Sequence, residues 1–511
     1  MTLISTGLGP LRGECEGGVT VFRGVPFAAP PVGDLRWRRP DPPRSWPGIR
    51  DATAFGPIAP QTISPRQLAR SGGRMDEDCL YLNVWTPAAD GAKRPILVFV
   101  HGGGMISGSG SAPLLNGSRL AERADLVVVT LNYRLGALGV INAPNRLDET
   151  SAKTSANLAL QDIMAALAFL RREGAAYGGD PNNIVLTGQS SGGVAVACLM
   201  AHPDAASLFD KAILQSGGLE RVIAAADAAE IADGFLAAFG SKSAAELRQL
   251  PLDAIMAAQA TPVGQRILPP RGEFHPFVDG DVVPEHPILA ALAGRTAPIP
   301  ILTGTTAQEW KTFDDASLAA DFDETRLRSL VEMLLPDGAE VDVALERYRT
   351  DLAALGEAPT PRAIASHLVG DLHFVAPTEL FARGHAAAGN PVYHYELEWR
   401  SPTLGLGACH NICLPLLFGT LEVGAKLSGA GAEADAMSRR LQEAWGAFAR
   451  TGDPSTVATG KWPCYDPECR PTLRIGERPR VVHGQHADRL AIWQAAYPWL
   501  RNREDAPIMM S

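Results

Sequence analysis

The stretch Ile184-Val185-Leu186-Thr187-Gly188-Gln189-Ser190-Ser191-Gly192-Gly193 passes from an apolar, β-type run through Gly-x-Ser-x-Gly into small residues compatible with a helix. That succession predicts a nucleophile elbow, in which a strand ends, the chain turns sharply at Ser190, and a helix begins. A serine in the strained backbone of such a turn, with small neighbours, projects its hydroxyl from the sheet edge. Gly188 and Gly192 provide the clearance.

Upstream, Pro95 to Val100 and Asp125 to Leu131 are continuous apolar, β-branched runs of strand length, as expected for strands covered on both faces. Between the second of these and Ile184 to Thr187 lies Asn157 to Arg172, where Leu158, Ile163, Ala166, Leu167 and Leu170 recur at helical spacing before the Gly178-Gly179-Asp180-Pro181 break. Strand, helix, strand implies a parallel sheet and an α/β fold. The Ala-rich region from about Ala224 to Ala307 reads as helices with a proline-punctuated loop at Thr261 to Pro276. Val392 to Trp399 alternates as a strand does, and Ala432 to Thr451 is an amphipathic helix stopped by Gly452-Asp453-Pro454. There is no internal repeat, low-complexity tract or interdomain linker, so residues 1–511 are expected to form one large domain.

The balance of 46% apolar and 20% charged residues is that of a chain with a substantial core. A net charge of -10, with no run of Lys or Arg, argues against nucleic-acid binding, which needs basic patches to displace counterions. The N-terminus has neither a basic head nor a continuous apolar stretch, and no later run approaches a membrane span. Seven cysteines without framework spacing suit a reducing compartment. The expected setting is cytoplasmic, with no membrane or nucleic-acid partner, small molecules as ligands, and a monomer or small homo-oligomer.

His101-Gly102-Gly103-Gly104 follows the Pro95 to Val100 strand, and consecutive glycines let backbone N–H groups converge without side chains in the way. Alone, the triplet reads equally as a flexible connection. Beside the elbow it predicts an oxyanion hole formed by the N–H groups of Gly103, Gly104 and Ser191.

Longer motifs carry a resemblance. They include Phe22-Arg23-Gly24-Val25-Pro26-Phe27-Ala28-x-Pro30-Pro31-x-Gly33-x-Leu35-Arg36, Glu77-Asp78-Cys79-Leu80-Tyr81-Leu82-Asn83-Val84, Asn132-Tyr133-Arg134, and Trp445-x-x-Phe448-Ala449-x-x-Gly452-Asp453-Pro454. Together they resemble the type-B carboxylesterases, the family of bacterial para-nitrobenzyl esterases, liver carboxylesterases and cholinesterases, over nearly the whole length. The resemblance implies an α/β-hydrolase fold, with a large, mostly parallel sheet flanked by helices and helical insertions forming an active-site gorge. It implies Ser190 as nucleophile, Glu309 in Gly304-Thr305-Thr306-Ala307-Gln308-Glu309 as acid, and His410 in Gly407-Ala408-Cys409-His410 as base. The order Ser, Glu, His suits that fold. No cofactor or metal is implied. Cys409, His410 and Cys413 could mimic a soft-metal cluster, but three ligands on one loop are incomplete.

Against the family pattern, Gln189 and Ser191 stand where Glu and Ala flank the nucleophile, and Cys413 stands where a second Glu is usual. The resemblance places those two carboxylates together behind the base, near Ser216. Losing both gives a neutral surround without like-charge conflict. His410 is then expected to feel less negative potential than in relatives, putting the rising limb of activity at lower pH. Relatives commonly bridge Cys79 to an upstream cysteine, but Ala59 is at that place, so Cys79 is expected to be free. The loop from Gln61 to Asp76 has no aromatic residue, which argues against a choline substrate. Its Arg66, Arg70 and Arg74 are candidates to accept acidic groups at the gorge rim, or else solvated surface residues. Met105 is expected to give a soft wall to the substrate pocket.

The expectation is hydrolysis of uncharged carboxylic esters through an acyl-Ser190 intermediate. A carbamate or amide hydrolase would use the same constellation. A non-catalytic adhesion homologue is disfavoured by the presence of all three residues.

Overall fold

The computed structural model describes residues 1–147, 156–259, 274–314, 318, 321–335 and 340–500. Among the described residues, thirteen strands form one mixed sheet. In chain order they are β1 (Thr2–Thr6), β2 (Gly9–Glu16), β3 (Val19–Pro26), β4 (Arg50–Asp51), β5 (Tyr81–Thr86), β6 (Arg94–Val100), β7 (Val127–Leu131), β8 (Gly179–Gln189), β9 (Lys211–Gln215), β10 (Ile301–Thr306), β11 (Val392–Leu397), β12 (Pro471–Ile475) and β13 (Arg480–His483). Their order across the sheet is β1-β2-β3-β5-β7-β6-β8-β9-β10-β11-β12-β13, with β4 beside β2. From β7 to β12 every neighbour is parallel, while the flanks are antiparallel except for the short parallel pair of β2 and β4.

The alternation of side chains along β6 divides the core in two. Ile96, Val98 and Val100 face one side, with Ile163 and Leu167 of the helix Leu158–Glu173. Leu97 and Phe99 face the other, with Leu441, Trp445 and Phe448 of the helix Ala432–Thr451. Successive residues of a strand point to opposite faces, so a strand between two helical layers must be apolar throughout. That is why β6, β7 and the end of β8 read as unbroken apolar runs.

Two sequence expectations need correction. Ile301–Thr306, absorbed above into an Ala-rich helical region, is the buried strand β10 beside β9 and β11. Its six residues are too short to show a period, and they carry the β-branched content of a strand. The region before it does contain helices, at Ala225–Ala237, Ala244–Arg248, Leu252–Gln259 and Pro287–Leu292. Most of the expected loop at Thr261 to Pro276 lies outside the described residues. The segment from Gln61 to Asp76 is not all loop: Pro65–Ser71 is a helix whose first turn is closed by reciprocal bonds between Ser64 and Gln67.

Several of the long motifs turn out to be structural. Arg36 grips Glu77 through Nε (2.6 Å) and a terminal nitrogen, and also donates to the carbonyls of Arg248 (2.8 Å) and Leu250 (2.6 Å). Arg134 makes a fork on Asp162 with bonds of 2.8 and 2.6 Å, and its own N–H adds a third at 3.0 Å. Their side chains are 4% and 0% exposed. Removing one partner of such a pair strands a charge in the interior. Arg134→Met is therefore expected to cost about 3–5 kcal/mol of stability, read from urea unfolding. A loss below about 1 kcal/mol would show that the pair behaves as a solvated one.

Candidate active site

Ser190 sits where β8 ends, at φ 58° and ψ −128°, a region that residues with side chains rarely adopt. Its N–H donates to Gln215 O on β9 (2.9 Å), and its carbonyl accepts from Val194 N (3.1 Å), so the turn is held on both sides. Close approach explains the flanking glycines. A Cβ at Gly188 would lie 2.2 Å from Gly192 O, and one at Gly192 would lie 2.1 Å from Val100 O.

Val100 is in register with Gly188, so the glycine loop leaves β6 level with the elbow. His101 is buried, stacked on Tyr133 with centroids 4.4 Å apart, and its Nδ1–H donates to Gly102 O at 2.8 Å. Gly103 O accepts from Ile106 N (3.2 Å) and Ser107 N (3.0 Å), closing a tight turn. Among the described residues no acceptor is assigned to the N–H of Gly103 or Gly104, and Ser191 N–H, opening its helix, has no intrahelical partner. These three residues line one cavity of about 280 Å³ together with Ser190, His410, Met105, Val194, Phe313 and Phe374. Met105 N donates to Ser191 Oγ at 3.2 Å, which ties the glycine loop to the elbow.

Glu309 follows β10 and His410 lies on the long connection after β11. Glu309 Oε1 accepts from Thr306 N and Ser216 Oγ, each at 2.6 Å, and Oε2 meets His410 Nδ1 at 2.6 Å. Both side chains are 1% exposed. The loop bearing His410 is tied to the one bearing Glu309: His410 N donates to Glu309 O (3.2 Å), Gln308 N to Ala408 O (2.9 Å), Ala408 N to Gln308 Oε1 (2.9 Å), and Thr312 Oγ1 to His410 O (3.0 Å). Phe374 and Phe313 pack on the imidazole at centroid distances of 4.6 and 5.5 Å. Phe374 comes from a π-helical turn, Asp371–Val375, set between the helices Pro361–Gly370 and Ala376–Ala387.

Gln308 lies inside the quoted motif, yet its tie to Ala408 was not foreseen. Phe313 and Phe374 were not foreseen either, because no motif signals their proximity to His410. The remaining expected residues stand as follows. Cys413 is a buried thiol whose pKa is pushed up by burial and, next, by the charge of Glu309. Cys79 is buried and free, and the other cysteines are also unbridged. Arg74 is engaged by Asp76 at 2.7 Å and Arg70 is exposed; neither lines the cavity. The side chain of Arg66 lies outside the described residues. One expected contact differs: His410 Nε2 meets Gln189 Nε2 at 3.0 Å, not the Ser190 hydroxyl. A glutamine at 189 supplies an N–H there, which a carboxylate would lack.

A sheet of this kind between helical layers, with a Gly-x-Ser-x-Gly turn at the end of a central parallel strand, defines an α/β hydrolase. Residues 1–493 match the carboxylesterase family, and the chain belongs to it: it is a serine hydrolase acting on carboxylic esters. It is 36% identical to the para-nitrobenzyl esterase of Bacillus subtilis (strain 168), covering 95% of this chain and 97% of that one. It is 35% identical to the phenmedipham hydrolase of Pseudarthrobacter oxydans, covering 93% and 95%. The crystal structure of Geobacillus stearothermophilus carboxylesterase EST55 superposes with a TM-score of 0.85 at 32% identity, over 97% of this chain and all of that one. No helix among the described residues is long and apolar enough to cross a membrane.

Two predictions follow from this geometry. Ser216→Ala removes a hydrogen bond to a charged acceptor, and is expected to lower kcat/KM for a para-nitrophenyl ester at least about ten-fold with little change in KM. An effect carried by KM alone would contradict the arrangement. The second concerns His101, whose pKa burial lowers from 6.5 to about 4. Between those values the unfolded chain binds the extra proton and the fold does not. The His101 contribution is thus complete above about pH 6.5 and falls away on acidification, by about 3 kcal/mol at pH 4. His373, His385 and His394, also lowered by burial, act in the same sense. Urea midpoints measured from pH 7 to 4 are expected to drop less steeply in His101→Phe.

Proposed function

We propose that this chain hydrolyses uncharged carboxylic esters through an acyl-Ser190 intermediate, with Glu309 and His410 completing a catalytic triad. The observation that carries the reading is one cavity bordered at once by Ser190, by His410 whose far nitrogen is bound to Glu309, and by Gly103, Gly104 and Ser191, whose N–H groups can donate to a developing negative charge.

With Nδ1–H donated to Glu309, the neutral imidazole has its lone pair at Nε2. Ser190 Oγ attacks the ester carbonyl as its proton passes to Nε2, and Glu309 steadies the imidazolium. The carbonyl oxygen, now negative, takes hydrogen bonds from the N–H groups of Gly103, Gly104 and Ser191, whose positions need no rearrangement at the moment of reaction. Nε2–H then protonates the leaving alcohol, and water repeats the sequence on the acyl-serine. Apolar walls from Met105, Val194, Phe313 and Phe374 favour uncharged groups, and Arg221, which also lines the cavity, is paired with Glu220 at 3.3 Å. A cytoplasmic setting and a monomer or small homo-oligomer remain part of the proposal.

Ser190→Ala is expected to abolish turnover, and wild type is expected to take a stoichiometric organophosphate label on Ser190, read by peptide mass. A label on any other residue would remove the assignment. A panel of para-nitrophenyl esters of increasing acyl length, with carbamates and anionic esters alongside, is expected to show faster turnover for neutral than for anionic esters. Preference for anionic esters would overturn the uncharged-substrate reading.

A further inference from the structure

Gln189 is 1% exposed, and its carboxamide nitrogen stands 3.0 Å from the nitrogen of His410 that the chemistry needs. Because His410 Nδ1 is taken by Glu309, the neutral ring offers Nε2 only a lone pair, and an amide N–H is its proper partner. Once Nε2 carries a proton the match reverses. Two N–H groups would face each other, and only the amide's carbonyl end could accept. A glutamate at the same place could accept but never donate at neutral pH.

We propose that Gln189 is a positioning residue that occupies the His410 lone pair in the free enzyme, so that Ser190 must displace the amide before giving up its proton. After the transfer, the carboxamide turns to present Oε1 to the imidazolium. This rests on the acyl-Ser190 reading. Gln189 gains and loses no proton: the Oγ–H bond of Ser190 breaks, the Nε2–H bond forms, and the leaving alcohol later takes that proton.

Other groups around the ring are unchanged by substitution at 189. Glu309 holds Nδ1, while Cys409 and Cys413, on the same segment, are buried thiols with pKa pushed up by burial. Other elements bring the rings of Phe313 and Phe374, the cavity-lining His275, and Arg221 paired with Glu220, which also binds His373 at 2.6 Å.

The test compares wild type, Gln189→Met and Gln189→Glu in two measurements: the pH profile of kcat/KM for para-nitrophenyl acetate, and the rate of Ser190 phosphorylation by a diethyl aryl phosphate. In Gln189→Met the lone pair is released, and phosphorylation at pH 8 is expected to quicken about five-fold, the worth of one neutral hydrogen bond, with KM little altered. In Gln189→Glu the acceptor holds the imidazolium, and the midpoint of the rising limb is expected to move up by about one pH unit. Coincident midpoints and equal phosphorylation rates in all three, with Ser190 still labelled, would overturn the inference and leave the acyl-serine reading intact. A wild type that takes no label on Ser190 would instead bring down that reading and this inference with it. Should the variants not fold, the ¹⁵N resonance of His410 Nε2 decides between wild type and Ser190→Ala. An unchanged shift supports contact with Gln189, and a changed one overturns it.

Discussion

The contact on which the site depends is the crossing of the elbow over the end of β6. Gly192 lies so close to Val100 O, and Gly188 so close to Gly192, that a single methyl group at either would force the turn apart. That closeness brings the glycine loop leaving β6 to the residue that leaves β8. Ser190 N then bonds to Gln215 O on β9, and Ser216 N to Gly304 O on β10, so the ends of four neighbouring parallel strands are locked level. A strand register that slips by one residue turns every side chain to the opposite face. Here it would also part Ser190 from the glycine loop that leaves β6.

The same ladder delivers the rest of the constellation. Gln215 on β9 is in register with Gly304 on β10, and Gly304 with Tyr395 on β11, so the segments after β9, β10 and β11 start from one edge. Ser216, Glu309 and His410 come from those segments, and their side chains meet because the connections above the edge are tied to one another. Gln308 and Ala408 form the central tie, exchanging both backbone and side-chain bonds. Aromatic packing by Phe313 and Phe374 leaves the imidazole little freedom to turn away, which lets one carboxamide decide what the ring's outer nitrogen meets.

The charged motifs far from the chemistry serve the same end by another route. Arg36 with Glu77 and Arg134 with Asp162 join distant stretches of chain through buried, multiply bonded guanidinium groups. Such pairs contribute little net stability when intact but are costly to break, so they act mainly to exclude other arrangements. They explain why these residues form long recognisable motifs while touching neither serine nor histidine.

Local pattern was enough for the parts of this molecule whose physics is local. The elbow, the glycine loop, the buried strands β6 and β7 and the helix Ala432–Thr451 follow from runs, periods and small residues at fixed spacings, and the family likeness pointed to Glu309 and His410 through their flanking motifs. β10 escaped because six residues beside an Ala-rich region carry no period of their own. Phe374 escaped because only packing of the π-helical turn brings it to His410. Residue pattern and family likeness by themselves were enough to name Ser190, Glu309 and His410 as candidates. That Gln189, adjacent to Ser190 in the chain, reaches the outer nitrogen of His410 was settled by the folded chain alone, because it depends on how two buried side chains 221 residues apart are oriented toward each other.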